Sequence, residues 1–261
     1  MEKYLIVNAD DFGASTGINR GIIECHARGV VTSASLMVTG RAAREAAALS
    51  RDHPALAVGL HWDVWGEDER AFDVADHGAV VDEFRRQLDA FHDLLGRMPT
   101  HVDSHRHAHR QGHVMSLFAE VLAPLGVPLR DDGRVRFVGG FYAQWEWKVT
   151  NLDHVGVPFF QRMLREEVAG GWTEFSCHPG YPSPDFASVY LAEREAEVRT
   201  LIDPHIRRNI DELGISLVSF ADYPKTAMAH PGFRGGNTHE VDLGIDSTSR
   251  KVYVEGSLKL V

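Results

Sequence analysis

Four short segments carry side chains able to bind a cation or move a proton, and they are scattered over most of a 261-residue chain. The first is NADDFG, where Asp10 and Asp11 follow an apolar run. Adjacent carboxylates repel unless something cationic sits nearby. The pair therefore reads either as a metal ligand beside a base or as a solvated turn leading into a helix cap. The second is GLHWDV, where His61 ends a strand-like stretch, as a ligand or as a structural histidine partnered by Asp63. The third is THVDSHRHAHRQGH. Of 15 histidines, five lie between His101 and His113, and neutral imidazole suits zinc and other first-row ions. His105, His107 and His109 would share one side of an extended segment, whereas a helix would pair His105 with His109. Spacing alone leaves the ligand open, and a His-rich surface loop is the bland reading of the same residues. The fourth is FSCHPG, where Pro179 and Gly180 end a strand and turn the chain. With no carboxylate beside it, His178 reads better as a general acid or base than as a ligand. Cys177 alternates to the other side of that strand and reads as buried.

Positioning these residues falls to short apolar runs alternating with longer amphipathic stretches. Strands are predicted at Tyr4–Asn8, Thr32–Val38, Leu56–Leu60, about Thr100 to Val102, Pro128–Asp131, Thr173–Cys177 and Ile215–Ser219. Helices are predicted at Thr16–Arg28, Arg41–Arg51, Val80–Leu95, His113–Leu125, Phe159–Ala169 and Glu193–Leu213. In the third of these, Phe84, Leu88, Phe91 and Leu95 recur every three or four residues, the period of one helix face. Such alternation implies a parallel sheet with helices outside it. The expected fold is α/β, a single distorted (β/α) barrel of about seven parallel strands over residues 1–224. Chemistry in such barrels collects at the C-terminal strand ends, which is where Asp10/Asp11, His61, His105 and His178 fall. An Asp and two His would leave open positions on a cation, as catalytic sites do. Residues 225–261 are expected to be a separate extension, with Arg250–Val261 alternating as a β-hairpin would.

Composition removes several classes. A net charge of -10 argues against nucleic acid or an anionic membrane as partner. No apolar run approaches the roughly 20 residues of a membrane span. The opening MEKYLIVNADD lacks the basic and apolar regions of a secretory signal, so a cytoplasmic protein is expected. Cys25 and Cys177 are too few for a disulfide framework or a four-thiolate zinc site.

Taken in order, these motifs resemble the YdjC-like carbohydrate deacetylases, which include the chitooligosaccharide deacetylases. NADDFG, GLHWDV, THVDSHRHAH and CHPG carry the resemblance, the closing EREAEVRTLIDP and GISLVSF extend it, and it covers about residues 3–223. It implies a distorted (β/α) barrel that binds one divalent cation through Asp11, His61 and His105, with Asp10 as catalytic base and His178 as the other proton-transfer residue. Zinc is the favoured ion, and magnesium, manganese or cobalt is compatible with a carboxylate-bearing set. The implied reaction is removal of an N-acetyl group from a small acetylated carbohydrate. The stretch between His61 and His101 is shorter than is usual in the family and helps form the substrate groove, so substrate size stays open. Sugar C–H faces stack on aromatic rings, which makes Trp62, Trp145 and Trp147 candidate substrate contacts; ordinary packing is the alternative for each. A homodimer is compatible with the sequence. Two other readings stand beside this one. The first is another metal hydrolase on a similar barrel, such as an amidohydrolase or phosphoesterase, which would commonly carry His-x-His at the first strand. The second is a non-catalytic metal-binding protein. His101, His107, His109 and His113 are left without a role.

Overall fold

The apolar run after Glu2 forms the longest strand, β1 (Lys3–Phe12), and it is buried from Leu5 to its end. A strand buried on both faces belongs in the middle of a parallel sheet, and β1 occupies that place. The computed structural model of the chain describes residues 1–66 and 72–224. Around β1 lie β2 (Ser33–Leu36), β3 (Ala57–Trp62), β4 (Val102–Ser104), β5 (Arg136–Val138), β6 (Gly171–Cys177) and β7 (Ile215–Leu217). Every pairing is parallel, in the order β4-β3-β2-β1-β6-β5. Strand β7 pairs with Lys3–Leu5 of β1, below the point where β2 takes over at Asn8. The sheet curls into a parallel half-barrel, with α1 (Thr16–Arg28), α2 (Ala43–Asp52), α3 (His77–Leu95), α4 (Val114–Leu122), α5 (Val157–Glu166), α6 (Ala192–Leu201) and α7 (Pro204–Glu212) between and around its strands.

Helix limits follow local chemistry. Ser15 caps α1 by accepting from the Ile18 amide, Asp76 does the same for α3 at Ala79, and Gly96 closes α3 in the left-handed conformation (φ 68°). The single helix expected over Glu193–Leu213 is in fact two. It breaks where Pro204, lacking an amide proton, opens α7 under an Asp203 cap. The expected helix to Leu125 stops at Leu122 and tightens into a 3-10 turn, Ala123–Leu125. The strand expected over Pro128–Asp131 is reduced to one parallel bridge, Val102 to Leu129, because Asp131 turns left-handed (φ 66°). Strand β5, which the sequence pattern does not announce, lies a few residues further on. The extension and hairpin expected over 225–261 lie outside the described residues.

The core has two textures. Outside the sheet it is apolar: Phe84 stacks on Phe118 with centroids 3.8 Å apart, and Trp62 meets Phe118 edge-on at 4.9 Å. Inside the curve it is polar. Strand alternation and register set Ile6 beside Glu174 and Asn8 beside Ser176. Asn8 donates to both Asp10 and Ser35 at 2.8 Å. Buried polar groups are tolerable only when bonded in this way, and the network leads upward to the strand ends.

Candidate active site

Two consecutive residues of a regular strand point to opposite faces, so Asp10 and Asp11 could not both reach the barrel mouth from an ideal β1. The strand is not ideal there. The β1–β2 register shifts between Ala9 and Phe12, and Asp11 is left-handed with φ 68°. A bulge re-aims a side chain, and this one brings both carboxylates to one polar cluster. Asp10 faces Arg130 and His178; Asp11 faces His61, His105 and Arg194.

Asp11 Oδ1 lies 3.4 Å from His61 Nε2 and 3.2 Å from His105 Nδ1. Its other oxygen accepts from Arg194 Nη2 at 2.7 Å. On the far side of His61, Nδ1 meets Asp103 Oδ1 at 2.6 Å. Ligand atoms from Asp11, His61 and His105 all fall within 4.8 Å of one another. This donor set fits a divalent cation: one carboxylate oxygen and two imidazoles converge, and a buried carboxylate fixes the ring of one of them, as ligating histidines require. Asp10, His61 and Asp103 also cluster closely enough to hold an ion. There, however, the Arg130 guanidinium already stands, 2.8 Å from both Asp10 oxygens and 2.8 Å from Asp103. The first group, whose guanidinium partner Arg194 sits on the other Asp11 oxygen, is therefore the better candidate to hold an ion.

Burial and charge oppose each other throughout. Burial pushes the Asp11 carboxyl up, but the Arg194 charge and the bonds to His105 and His61 outweigh it and hold it well below its usual range. Burial lowers His61, yet the adjacent Asp103 raises it well above an ordinary histidine. A cation bound there would therefore compete with a proton for its Nε2. At Glu174, which accepts from Arg130 Nε at 2.9 Å, burial prevails over the guanidinium and raises the carboxyl to about 7. His178 Nε2 stands 3.9 Å from Asp10 Oδ2. Burial takes that imidazole down to about 4, against the raising influence of Asp10 and Asp11.

Among the aromatic candidates, Trp62 is a correction. It is fully buried, edge-on to Phe118 and Phe72, so no sugar can reach its faces. Strand parity explains this, because His61 points inward and its neighbour must point outward under α3 and α4. Trp145 is partly exposed and stacks on His154 at 3.7 Å, and Trp147 lies beneath the Lys148 ammonium at 5.8 Å. On the same segment, Tyr142 meets the His178 ring at 5.3 Å.

The remaining histidines are largely structural. His101 is buried against Phe220 at 3.9 Å and bonds Ser35; Gly59 makes room for it, since a Cβ there would come within 2.4 Å of the ring. His109 is tied to Ser104, His107 stands edge-on to Phe137, and His113 lies on His77. Cys177 is buried, as strand parity implied, with Sγ donating to the Asn8 carbonyl. Sequence reasoning misses Asp103, Arg130, Glu174, Arg194 and Glu197. For Asp103 a signal exists: it sits two residues from His105 on a strand end, inward by parity. Arg194 and Glu197 give none, because a charged helix ordinarily faces water.

Comparison with known proteins places this geometry in a context. The profile of the family described as YdjC-like protein matches residues 4–212. The chain is similar to the chitooligosaccharide deacetylase of Serratia marcescens, 35% identical across 85% of this chain and 100% of that one. It is also similar to the carbohydrate deacetylase of Geobacillus stearothermophilus, 32% identical across 86% of this chain and 100% of the relative. Among solved structures, a protein of Enterococcus faecalis provisionally named a cellobiose-phosphate cleavage protein superposes with a TM-score of 0.72 at 25% identity, covering 84% of this chain and 98% of its own. A polysaccharide deacetylase of Bacillus cereus shares the fold, with a TM-score of 0.55 at 14% identity over 84% of this chain and 92% of that one.

Proposed function

The chain belongs to the YdjC-like family, and from that premise we propose that it hydrolyses an N-acetyl group from a small acetylated amino sugar of the chitooligosaccharide kind. The observation that carries this reading is the split of the carboxylate pair. Asp11 is turned toward His61 and His105, while Asp10 is turned toward His178. Asp11, His61 and His105 would hold one divalent cation, whose chemistry is to acidify water and polarise the amide carbonyl.

The chain's own groups do the rest. Asp10 takes the proton from the attacking water. Arg130 grips both of its oxygens, so the carboxylate cannot swing away, and Asp103 keeps the His61 ring turned toward Asp11. His178 delivers a proton to the departing nitrogen, without which the C–N bond would release a poor amide leaving group. With its imidazole down at about 4, His178 is neutral at neutral pH and must receive that proton within the cycle. Asp10, 3.9 Å away, is the group in reach. One proton thus leaves water at Asp10 and arrives at nitrogen through His178.

The two aspartates separate in experiment. Asp10→Asn is expected to bind metal as the native protein does yet lose turnover by roughly a hundredfold or more. Asp11→Asn is expected to lose both metal and turnover. Metal analysis beside acetate release checks the pair, and full activity in either variant would contradict this division of roles.

A further inference from the structure

His178 presents a puzzle for a proton-transfer histidine. Such rings are ordinarily oriented by a carboxylate on the second nitrogen. Here His178 Nδ1 is buried and has no hydrogen-bond partner among the described residues. Something else must aim the ring.

Helix α6 supplies it through the backbone. Glu197 is fully buried. One of its oxygens accepts from the His178 amide, and the other accepts from Tyr190 Oη at 2.6 Å. One turn earlier, Arg194 Nη1 donates to the His178 carbonyl at 3.2 Å. The peptide groups on both sides of His178 are therefore held by two side chains of one helix. Tyr190 extends the arrangement. Its oxygen accepts from the Ala143 amide at 2.9 Å, and its ring stacks on Tyr142 at 4.5 Å and 8°. The stacked Tyr142 and Tyr190 rings both meet the His178 ring edge-to-face, at 5.3 and 6.0 Å. Rotation of the imidazole is limited by ring packing rather than by a bond to Nδ1. A buried carboxyl is costly unless its oxygens are bonded, and these bonds converge on one catalytic residue and its aromatic wall.

We propose that Glu197 and Tyr190 form a positioning unit for His178, aiming its Nε2 at the reaction by fixing its backbone and holding Tyr142 against its ring. The proposal rests on His178 as the proton-transfer residue.

The test uses the full chain with N,N′-diacetylchitobiose as probe and acetate release as readout. Tyr190→Phe keeps the ring and removes two hydrogen bonds. It is expected to lower kcat roughly tenfold or more through misplacement, with KM within about twofold. Glu197→Ala is expected to fall further, and Glu197→Gln, which keeps an acceptor for the His178 amide, to recover part of the loss. In a His178→Asn background, Tyr190→Phe should cost nothing more, since groups acting through one residue are not additive. An equal loss in both backgrounds, or native kcat in Tyr190→Phe and Glu197→Ala, overturns the proposal. If His178→Asn alone keeps native turnover, the underlying role of His178 fails instead, so the two failures are distinct. Amide hydrogen exchange gives a readout without substrate. Tyr190→Phe should speed exchange at Ala143, and Glu197→Ala at His178; unprotected amides at both positions in the native protein would also overturn the proposal.

Discussion

At the residue scale, the site is a set of paired charges in which each partner fixes the next. Asp103 illustrates how much depends on a residue that would touch neither substrate nor metal. It is fully buried and binds His61, Ser35 and Arg130. Replacing it with Asn is expected to leave His61 free to take the wrong tautomer and to weaken binding of an added divalent cation about 10- to 100-fold. A competition titration with a chromophoric chelator measures this directly, and native affinity in the variant would contradict the orienting role. The sequence made His61 and His105 visible because imidazole stands out at strand ends. Arg130 stayed hidden because an arginine in PLRD looks like any surface arginine until the fold buries it.

Elements decide which residues meet. Strand alternation was legible in the sequence, and in the folded chain the β1 register joins it to carry the inward set of Asn8 and Asp10. The bulge at Asp10 and Asp11 was not legible, because nothing in NADDFG shows which of two adjacent residues leaves the regular backbone. Helix α6 is the other lesson. Its run EREAEV is mostly charged, yet Glu193, Arg194 and Glu197 are all buried. The period of charge cannot show that a neighbouring loop covers it. Burial raises Glu197 from an ordinary 4.5 to about 8, so the folded chain binds a proton that the unfolded chain releases earlier. Its contribution to stability is complete below about pH 4.5 and is lost as pH rises to about 8, at up to about 1.4 kcal/mol per pH unit. Urea unfolding from pH 5 to 8 should show this decline in the native chain and a flatter profile in Glu197→Gln. Parallel profiles would place the titration elsewhere.

Over the whole molecule, a parallel half-barrel carries an apolar outer layer and a polar inner one. Its fold was the most legible property, because alternating apolar runs and amphipathic stretches leave few architectures open. The outer layer holds large aromatic contacts. Phe118 is fully buried between Phe84 and Trp62. Phe118→Ala should cost about 3–5 kcal/mol in denaturant unfolding, while any correctly folded fraction keeps its metal affinity. A loss under about 1 kcal/mol would mean that the packing collapses to fill the space.

The central claim is that one divalent cation at Asp11, His61 and His105 enables this chain to deacetylate a small amino sugar. Acetate release from a panel of N-acetylated sugars, measured before chelation, after chelation and after readdition of metal, tests it most directly. The expected result is release from at least one chitooligosaccharide, abolished by chelator and restored at one ion per chain. Release that survives complete metal removal, or no release from any member of the panel with metal bound, would contradict it.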